Sequence, residues 1–404
     1  MPETLTEKIK ADFRLFVILA GGLTAVLATG YYLLLIRGLG WTTDIQFHVG
    51  LLYKACAEQG AVPANFGFYE LVHLLSGFAC ERSRLLNVAI VVVGVAWGGL
   101  VVASAYAGLA LLSASVAGEA STAARHQAIA LVAAVGSCLL FPLPVSPAGW
   151  YLGLLPPNVY HNSTIISAMP WSVLAFAMGC RRLTTSRQSA LAPDLLLALV
   201  LVVGAVFKPG FAFAFVPAYA GLFALQHRWQ GRQLLRLALV LLPVLLLVAG
   251  QLRWTSQHPQ ATLNGASVLA VTFPAGWHTF VPYFGPARVL ACAASSFLVP
   301  VVAYALRPVW LQRPAHRLAL LSLLVGLLVF MVVYETGPRA RHGNFVWQVV
   351  AASHVLHWLI LIDALAWVPA SGQQRRRRML LLGLLALEVL CGVLYLISAL
   401  FLGI

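Results

Sequence analysis

About eleven apolar runs follow one another along the 404 residues, near 14–36, 86–116, 127–143, 164–180, 195–207, 210–226, 237–252, 288–306, 318–334, 347–369 and 379–402. A helix needs roughly 20 apolar residues to cross the hydrocarbon core of a bilayer. Within that core only helices and closed barrels satisfy their own backbone. The chain therefore reads as all-α: a polytopic transmembrane helical bundle of about eleven helices, one integral membrane domain over 1–404. The composition agrees. Charged residues are 9% of the total and mean hydropathy is +0.87, whereas a soluble domain carries about 25% charged residues. The fifth and sixth runs are one apolar stretch broken by Lys208-Pro209-Gly210. Two short helices meeting at the break, or a deep re-entrant hairpin, both fit. Either way the break must be buried in protein or face a wet cavity.

The formal charge of +14 suggests nucleic acid at first sight, but the basic residues sit in short clusters between apolar runs. Such clusters set orientation. With the N-terminus inside, the inner segments hold Lys8, Lys10 and Arg14; Arg125; Arg181, Arg182 and Arg187; Arg228, Arg232 and Arg236; Arg307, Arg313 and Arg317; and Arg375 to Arg378. Basic flanks on both sides of 195–226 make that stretch a returning pair. The long polar segments 37–85 and 253–287 then lie outside. Met1 to Arg14 is polar and mixed in charge, and no A-x-A-like site follows the first run, so that run is expected to stay as an anchor. The Leu-, Ala- and Arg-rich usage points to the inner, cytoplasmic membrane of a bacterium, with a periplasmic or external site. No internal repeat is visible, which counts against transporters built from duplicated halves. Six cysteines with no CxxC pair argue against a zinc or redox motif. Cys56 and Cys80 share the first outer loop and could pair in an oxidising compartment.

The polar residues with no packing explanation gather on the outer side. Asp44 and His48 stand at i and i+4 in the first loop and share a helix face. Glu70 and His73 follow at i and i+3 in a second amphipathic stretch. Both stretches read as helices lying in the membrane interface, and His73 as an interface residue. A structural role competes for Asp44: Thr43 with Gln46 fits a capping box, and a carboxylate suits a helix start. Asn158, His161 and Asn162 precede the fourth helix in a loop shaped by prolines, Tyr151 and Tyr160. A cap by Asn162 or Ser163 explains one of these residues but not the set. Lys208 lies at membrane depth, where a charge is a functional hypothesis by default; its alternative is to snorkel to headgroups. The fifth outer loop packs Glu335, Arg339, Arg341, His342 and Asn344 into a short turn. Arginine forks there suit phosphate or carboxylate, against the alternative of a solvated Glu–Arg turn. Trp277, His278 and Tyr283 offer a stacking surface. His354 and His357 read as helix-packing residues, and Asp363 as the partner of an inner arginine.

A site of this kind suits a substrate with an apolar tail in the bilayer and an anionic head at its surface. A carboxylate would take a proton from an incoming hydroxyl, and Lys and Arg would stabilise a phosphate leaving group. The layout of roughly the first two-thirds of the chain resembles the GT-C class of membrane glycosyltransferases. These have many transmembrane helices, an outward site, and an Asp or Glu in the first outer loop beside two interface helices. The resemblance implies transfer of a sugar from a polyprenyl-phosphate donor to an envelope glycan or lipid acceptor. Asp44 takes the place of the catalytic carboxylate. Lys208, Arg339 and Arg341 match donor-phosphate contacts by chemistry alone. Asn158, His161, Asn162, Glu335, His342 and Asn344 would shape the sugar site, with His48 and Glu70 beside it. The chain departs from that class in having Ile45 directly after Asp44 and no soluble C-terminal domain. A divalent cation, Mg²⁺ or Mn²⁺, could bridge Asp44 or Glu335 to phosphate. Two other classes fit the outer polar set: a transporter or flippase of a lipid-linked or anionic solute, and a polymerase or ligase of lipid-linked glycans that relies on Arg339 or Arg341.

Overall fold

The first helix, α1 (Leu5–Leu33), packs along α4 (Arg82–Ser113) more extensively than any other pair. Gly94 and Gly98 are the reason. A methyl at Gly98 would collide with the carbonyl of Gly21, and one at Gly94 with the side chain of Thr29. Helices in lipid lack a hydrophobic drive to associate, so small residues that let backbones approach are what hold such a pair. The computed structural model describes residues 5–58, 60–113, 120–143, 155–184, 190–228, 230–258, 269–336 and 344–402.

Between α1 and α4 lie two short helices, α2 (Asp44–Ala57) and α3 (Gly67–Leu75). They match the two amphipathic stretches of the first loop. The capping box is present: the Thr43 side chain accepts from the start of α2 while Gln46 accepts from the Thr43 amide. Cys56 and Cys80 form a disulfide, with Cα atoms 5.7 Å apart, closing the loop that carries α3.

The chain continues through α5 (Ala120–Ser137), α6 (Ser163–Thr184), α7 (Ala192–Phe207), α8 (Gly210–Gln226), α9 (Gly231–Gln257), α10 (Ala275–Phe284), α11 (Pro286–Leu306), α12 (Pro314–Val332), α13 (Trp347–Ala366) and α14 (Gly372–Leu402). Among the described residues, eight helices are long and apolar enough to cross a membrane, and α7 and α8 are two shorter apolar ones. This is an all-α, membrane-type architecture. The run expected at 127–143 corresponds to α5, which starts earlier, takes in Arg125 and His126, and is not among the eight. One departure is a two-stranded antiparallel ribbon, β1 (Leu269–Val271) with β2 (Val333–Glu335), in register Leu269 to Glu335.

The axis of the bundle is α13. Its spanning segment, Asn344–Ala366, is 89% buried, whereas that of α1 is 17% buried. This placement explains how α13 tolerates Gln348, Ser353, His354, His357 and Asp363, all buried. Polar side chains within a membrane face the bundle interior or pair with one another. At the end of α13 away from Trp347, Asp363 accepts from Arg313 at 2.7 Å and meets His316 Nε2 at 2.6 Å, as expected of an inner-arginine partner. A second buried carboxylate, Asp194, holds Arg182 of α6 at 2.5 Å and Arg236 of α9 at 2.6 Å. The clustered arginines thus tie helix ends together.

Candidate functional site

At Lys208-Pro209-Gly210 two short helices meet, α7 ending and α8 beginning across the break. α7 packs chiefly against α6 and α9, α8 against α12 and α13. Lys208 leaves α7 in an extended conformation (φ −161°, ψ 120°), and Pro209 caps α8. Proline supplies no N–H, so α7 cannot run on as a regular helix through it. The carbonyls freed at the end of α7 are satisfied from outside. Gln251 of α9 donates to Ala205 O at 2.9 Å, and Asn65 of the first loop donates to Phe207 O at 3.2 Å. Irregular backbone at membrane depth needs such partners. Gly210 begins α8 where a Cβ would sit 3.3 Å from the Gln348 amide, so the break lies hard against the start of α13.

Lys208 reaches across to α6. Its Nζ donates to Thr164 Oγ1 at 3.2 Å and sits 5.2 Å from the ring centre of Trp347. The Thr164 hydroxyl donates to Asn162 Oδ1 at 2.9 Å, and the Ile165 amide donates to the same oxygen at 3.1 Å. This fixes the Asn162 amide with its nitrogen outward, where it donates to Asp44 Oδ2 at 3.1 Å. Asn162 is therefore both the cap of α6 and a ligand of Asp44. A continuous run of hydrogen bonds links Lys208 to Asp44 through Thr164 and Asn162. His161 Nε2 stands 3.7 Å from the same Asp44 oxygen, and its ring lies 5.9 Å from Trp347. Asp44 keeps 40% of its side-chain surface exposed, so a substrate can reach it.

Two imidazoles flank this run, and both are held neutral. His48 is buried one turn along α2, bonded to the Tyr69 hydroxyl at 2.5 Å. Burial, and then the Lys208 charge, pushes its pKa down to about 3. Burial also drives His161 well below the usual histidine range, with Lys208 next in effect. An imidazole that desolvation keeps neutral offers a hydrogen-bonding ring but no charge to neutralise Asp44.

A cavity of about 370 Å³ opens at the break, lined by Lys208, Gly210, Glu335, Asn344, Trp347 and Gln348 among others. That is the size of a small-ligand site. The ribbon sets Glu335 on its wall, where Asn344 donates to the Glu335 carboxylate. The positive end of α8 also opens into it. A second cavity of about 920 Å³ shares Pro63, Ala64 and Gln251 with the first and is lined by Glu70, Trp254 and His258. It runs along α9, whose Leu242, Leu245 and Leu246 are exposed, and Trp254 donates to Val62 O at its mouth.

The structure thus brings together Asp44, His48, His161, Asn162 and Lys208, with Glu335 and Asn344 on the adjoining cavity and Glu70 on the second. Asn158 is placed apart. It is fully buried, and its amide nitrogen donates to Ser137 O and Leu140 O, anchoring the loop. Arg339, Arg341 and His342 lie outside the described residues, as do Tyr151 and the side chains of Trp277, His278 and Tyr283. Sequence reasoning missed Thr164, Trp347, Asn65 and Gln251. Only Gln251 left a signal, as the one amide within the apolar run 237–252. Among the described residues, one set of three potential metal ligands converges, Cys56, His73 and Cys80, and it contains the disulfide. An ion at Asp44 or Glu335 would take most of its ligands from phosphate and water, as Mg²⁺ commonly does.

No protein family model matches the chain, and no curated protein matches it. What the arrangement can do follows from its chemistry: an exposed carboxylate joined by hydrogen bonds to a lysine that lines a cavity, with a second cavity sharing part of that lining.

Proposed function

We propose that the chain is a membrane glycosyltransferase of GT-C type, taking a sugar from a polyprenyl-phosphate donor on the external face and passing it to an envelope glycan or lipid. The observation that carries this reading is the linked pair Asp44 and Lys208. Transfer needs a base for the incoming hydroxyl and a cation for the departing phosphate, and the two are held by one turn, Asn162 to Thr164. The donor phosphate lies against Lys208 and the start of α8, where the helix N-terminus also favours an anion. The prenyl chain leaves through the second cavity along α9, whose exposed leucines meet lipid. Asp44 deprotonates the acceptor hydroxyl, the new glycosidic bond forms at the sugar carbon, and the phosphate departs with its electron pair. Neutral His161 and Asn162 orient the carboxylate. Arg339 and Arg341, five and three residues before Asn344 in the chain, are assigned to the phosphate by their chemistry, and Glu335 and His342 to the sugar.

The test is transfer from a radiolabelled polyprenyl-phosphate sugar in membranes, with wild type, Asp44→Asn, Lys208→Met and Arg341→Ala at matched amounts. Loss of transfer in Asp44→Asn with donor binding retained supports the base role. Activity in Asp44→Asn with failure of the Lys208 and Arg341 variants overturns it, in favour of a transporter or a glycan polymerase.

A further inference from the structure

The bundle axis carries ionisable groups that the site around Asp44 does not use. Glu388 of α14 is 1% exposed, and His354 and His357 of α13 are fully buried. Ten residues separate Glu388 from Arg378, about 15 Å of helix, so the carboxyl lies deep in the spanning segment. An ionised side chain there is expensive and marks a functional position. Among the described residues, the Glu388 carboxyl meets one ionic partner, His357, with Oε1 3.8 Å from Nε2.

The hydrogen bonds fix the tautomers. His357 Nδ1 lies 2.8 Å from the Ser353 carbonyl. A carbonyl only accepts, so Nδ1 carries the hydrogen and the neutral ring presents a bare lone pair at Nε2. That lone pair faces a carboxyl oxygen. Two acceptors in a dry interior do not face each other without a proton between them. His354 repeats the pattern. Its Nδ1 faces Pro157 O at 3.1 Å and Asn158 Oδ1 at 3.0 Å, and the Asn158 amide is held in that sense by its two donations to backbone. His354 Nε2 is therefore also a lone pair, buried and without a hydrogen-bond partner among the described residues. His354 and His357 are three residues apart, on one helix face.

We infer that Glu388 and His357 form an intramembrane proton-binding site, with His354 one turn away on the same helix: it holds one exchangeable proton, shared between the carboxyl and the His357 lone pair. Binding forms an O–H bond on Glu388 or an N–H bond on His357, and release returns the electron pair to that atom. The other ionisable groups close by are Cys391, one turn further along α14, and Tyr160 and Tyr395, which stack on Phe141 where its amide meets the Glu388 carbonyl. None is cationic. Asn158, which His354 meets, lies in the same short loop as His161 and Asn162. The inference does not depend on the sugar-transfer reading, because it concerns different side chains and a different ligand.

The test is infrared spectroscopy of the full chain in lipid nanodiscs at neutral pH, in H₂O and D₂O, beside ¹⁵N NMR of labelled histidines. The expected result is a protonated-carboxyl C=O stretch that shifts in D₂O and is absent in Glu388→Gln, with neutral imidazoles. A carboxylate with a His357 imidazolium equally places one proton on the pair. An ionised Glu388 beside neutral His354 and His357 overturns the site. Should Glu388→Gln fail to fold, ¹³C-labelled glutamate carboxyls report the same protonation state in the unmutated chain.

Discussion

Lys208 Nζ donates to the Thr164 hydroxyl at 3.2 Å, and that hydroxyl passes its own hydrogen to Asn162. A lysine at a helix break is thereby tied to the turn that presents Asp44. Hydrogen bonds to charged groups contribute roughly 1.5–3 kcal/mol, so Lys208→Met is expected to weaken binding of a polyprenyl phosphate by about 10- to 100-fold. Lys208→Arg keeps most of the affinity, and Thr164→Val falls between. Titration of nanodisc-embedded protein with the labelled lipid checks the order. Wild-type affinity in Lys208→Met would remove the lysine from the site.

Asn162 has two tasks that substitution can separate. Its Oδ1 caps α6, and its Nδ2 holds Asp44. Asn162→Ala loses both, with a capping cost of about 0.5–2 kcal/mol. Asn162→Asp restores the cap but sets a second carboxylate against Asp44. The expected outcome is a lowered melting temperature for Asn162→Ala alone and lost transfer for both variants. Equal activity in the wild type and Asn162→Asp would mean that the Asp44 contact is incidental.

The helices were readable because a spanning run is a local signal, and so were the Thr43–Gln46 cap and the Lys-Pro-Gly break. Asp44, Asn162 and Lys208 were legible as polar residues that their surroundings do not explain. Their linkage was not, because Thr164 lies 44 residues from Lys208 and nothing local couples the two. The ribbon that places Glu335 has strands of three residues, too short for any periodicity. Asn158 looked like its neighbours in sequence, yet its amide is spent on backbone carbonyls. Glu388 was hidden inside an apolar run, although one acid among leucines is itself a signal.

Acid should loosen the site end of the molecule through His48. Its pKa falls to about 3 in the fold from 6.5. Between those values the unfolded chain binds more protons, so stability is full above about pH 6.5 and declines as pH drops toward 3. The slope tends to about 1.4 kcal/mol per pH unit for one such group, and His161 acts in the same direction. Thermal unfolding across this window should show a shallower decline in His48→Asn than in the wild type. An unchanged slope would mean that His48 takes up its proton without unfolding.

The helix break itself depends on two amides from distant segments. Gln251 donates to Ala205 O, and Asn65 donates to Phe207 O. A carbonyl left unsatisfied in a buried setting costs about 1–3 kcal/mol. Gln251→Leu and Asn65→Ala should therefore each lower the melting temperature. Asn65 also ties the first loop, with α3, to the end of α7, so its loss should free that loop. Limited proteolysis between α2 and α3 should speed up in Asn65→Ala and stay at the wild-type rate in Gln251→Leu. The difference follows from where each amide sits: Gln251 is within α9, with helix on both sides of it, whereas Asn65 lies in a loop that its side chain anchors. Equal proteolysis of the two variants would show that α3 stays seated on the break without the Asn65 bond, through the packing of Gly67 against Val206.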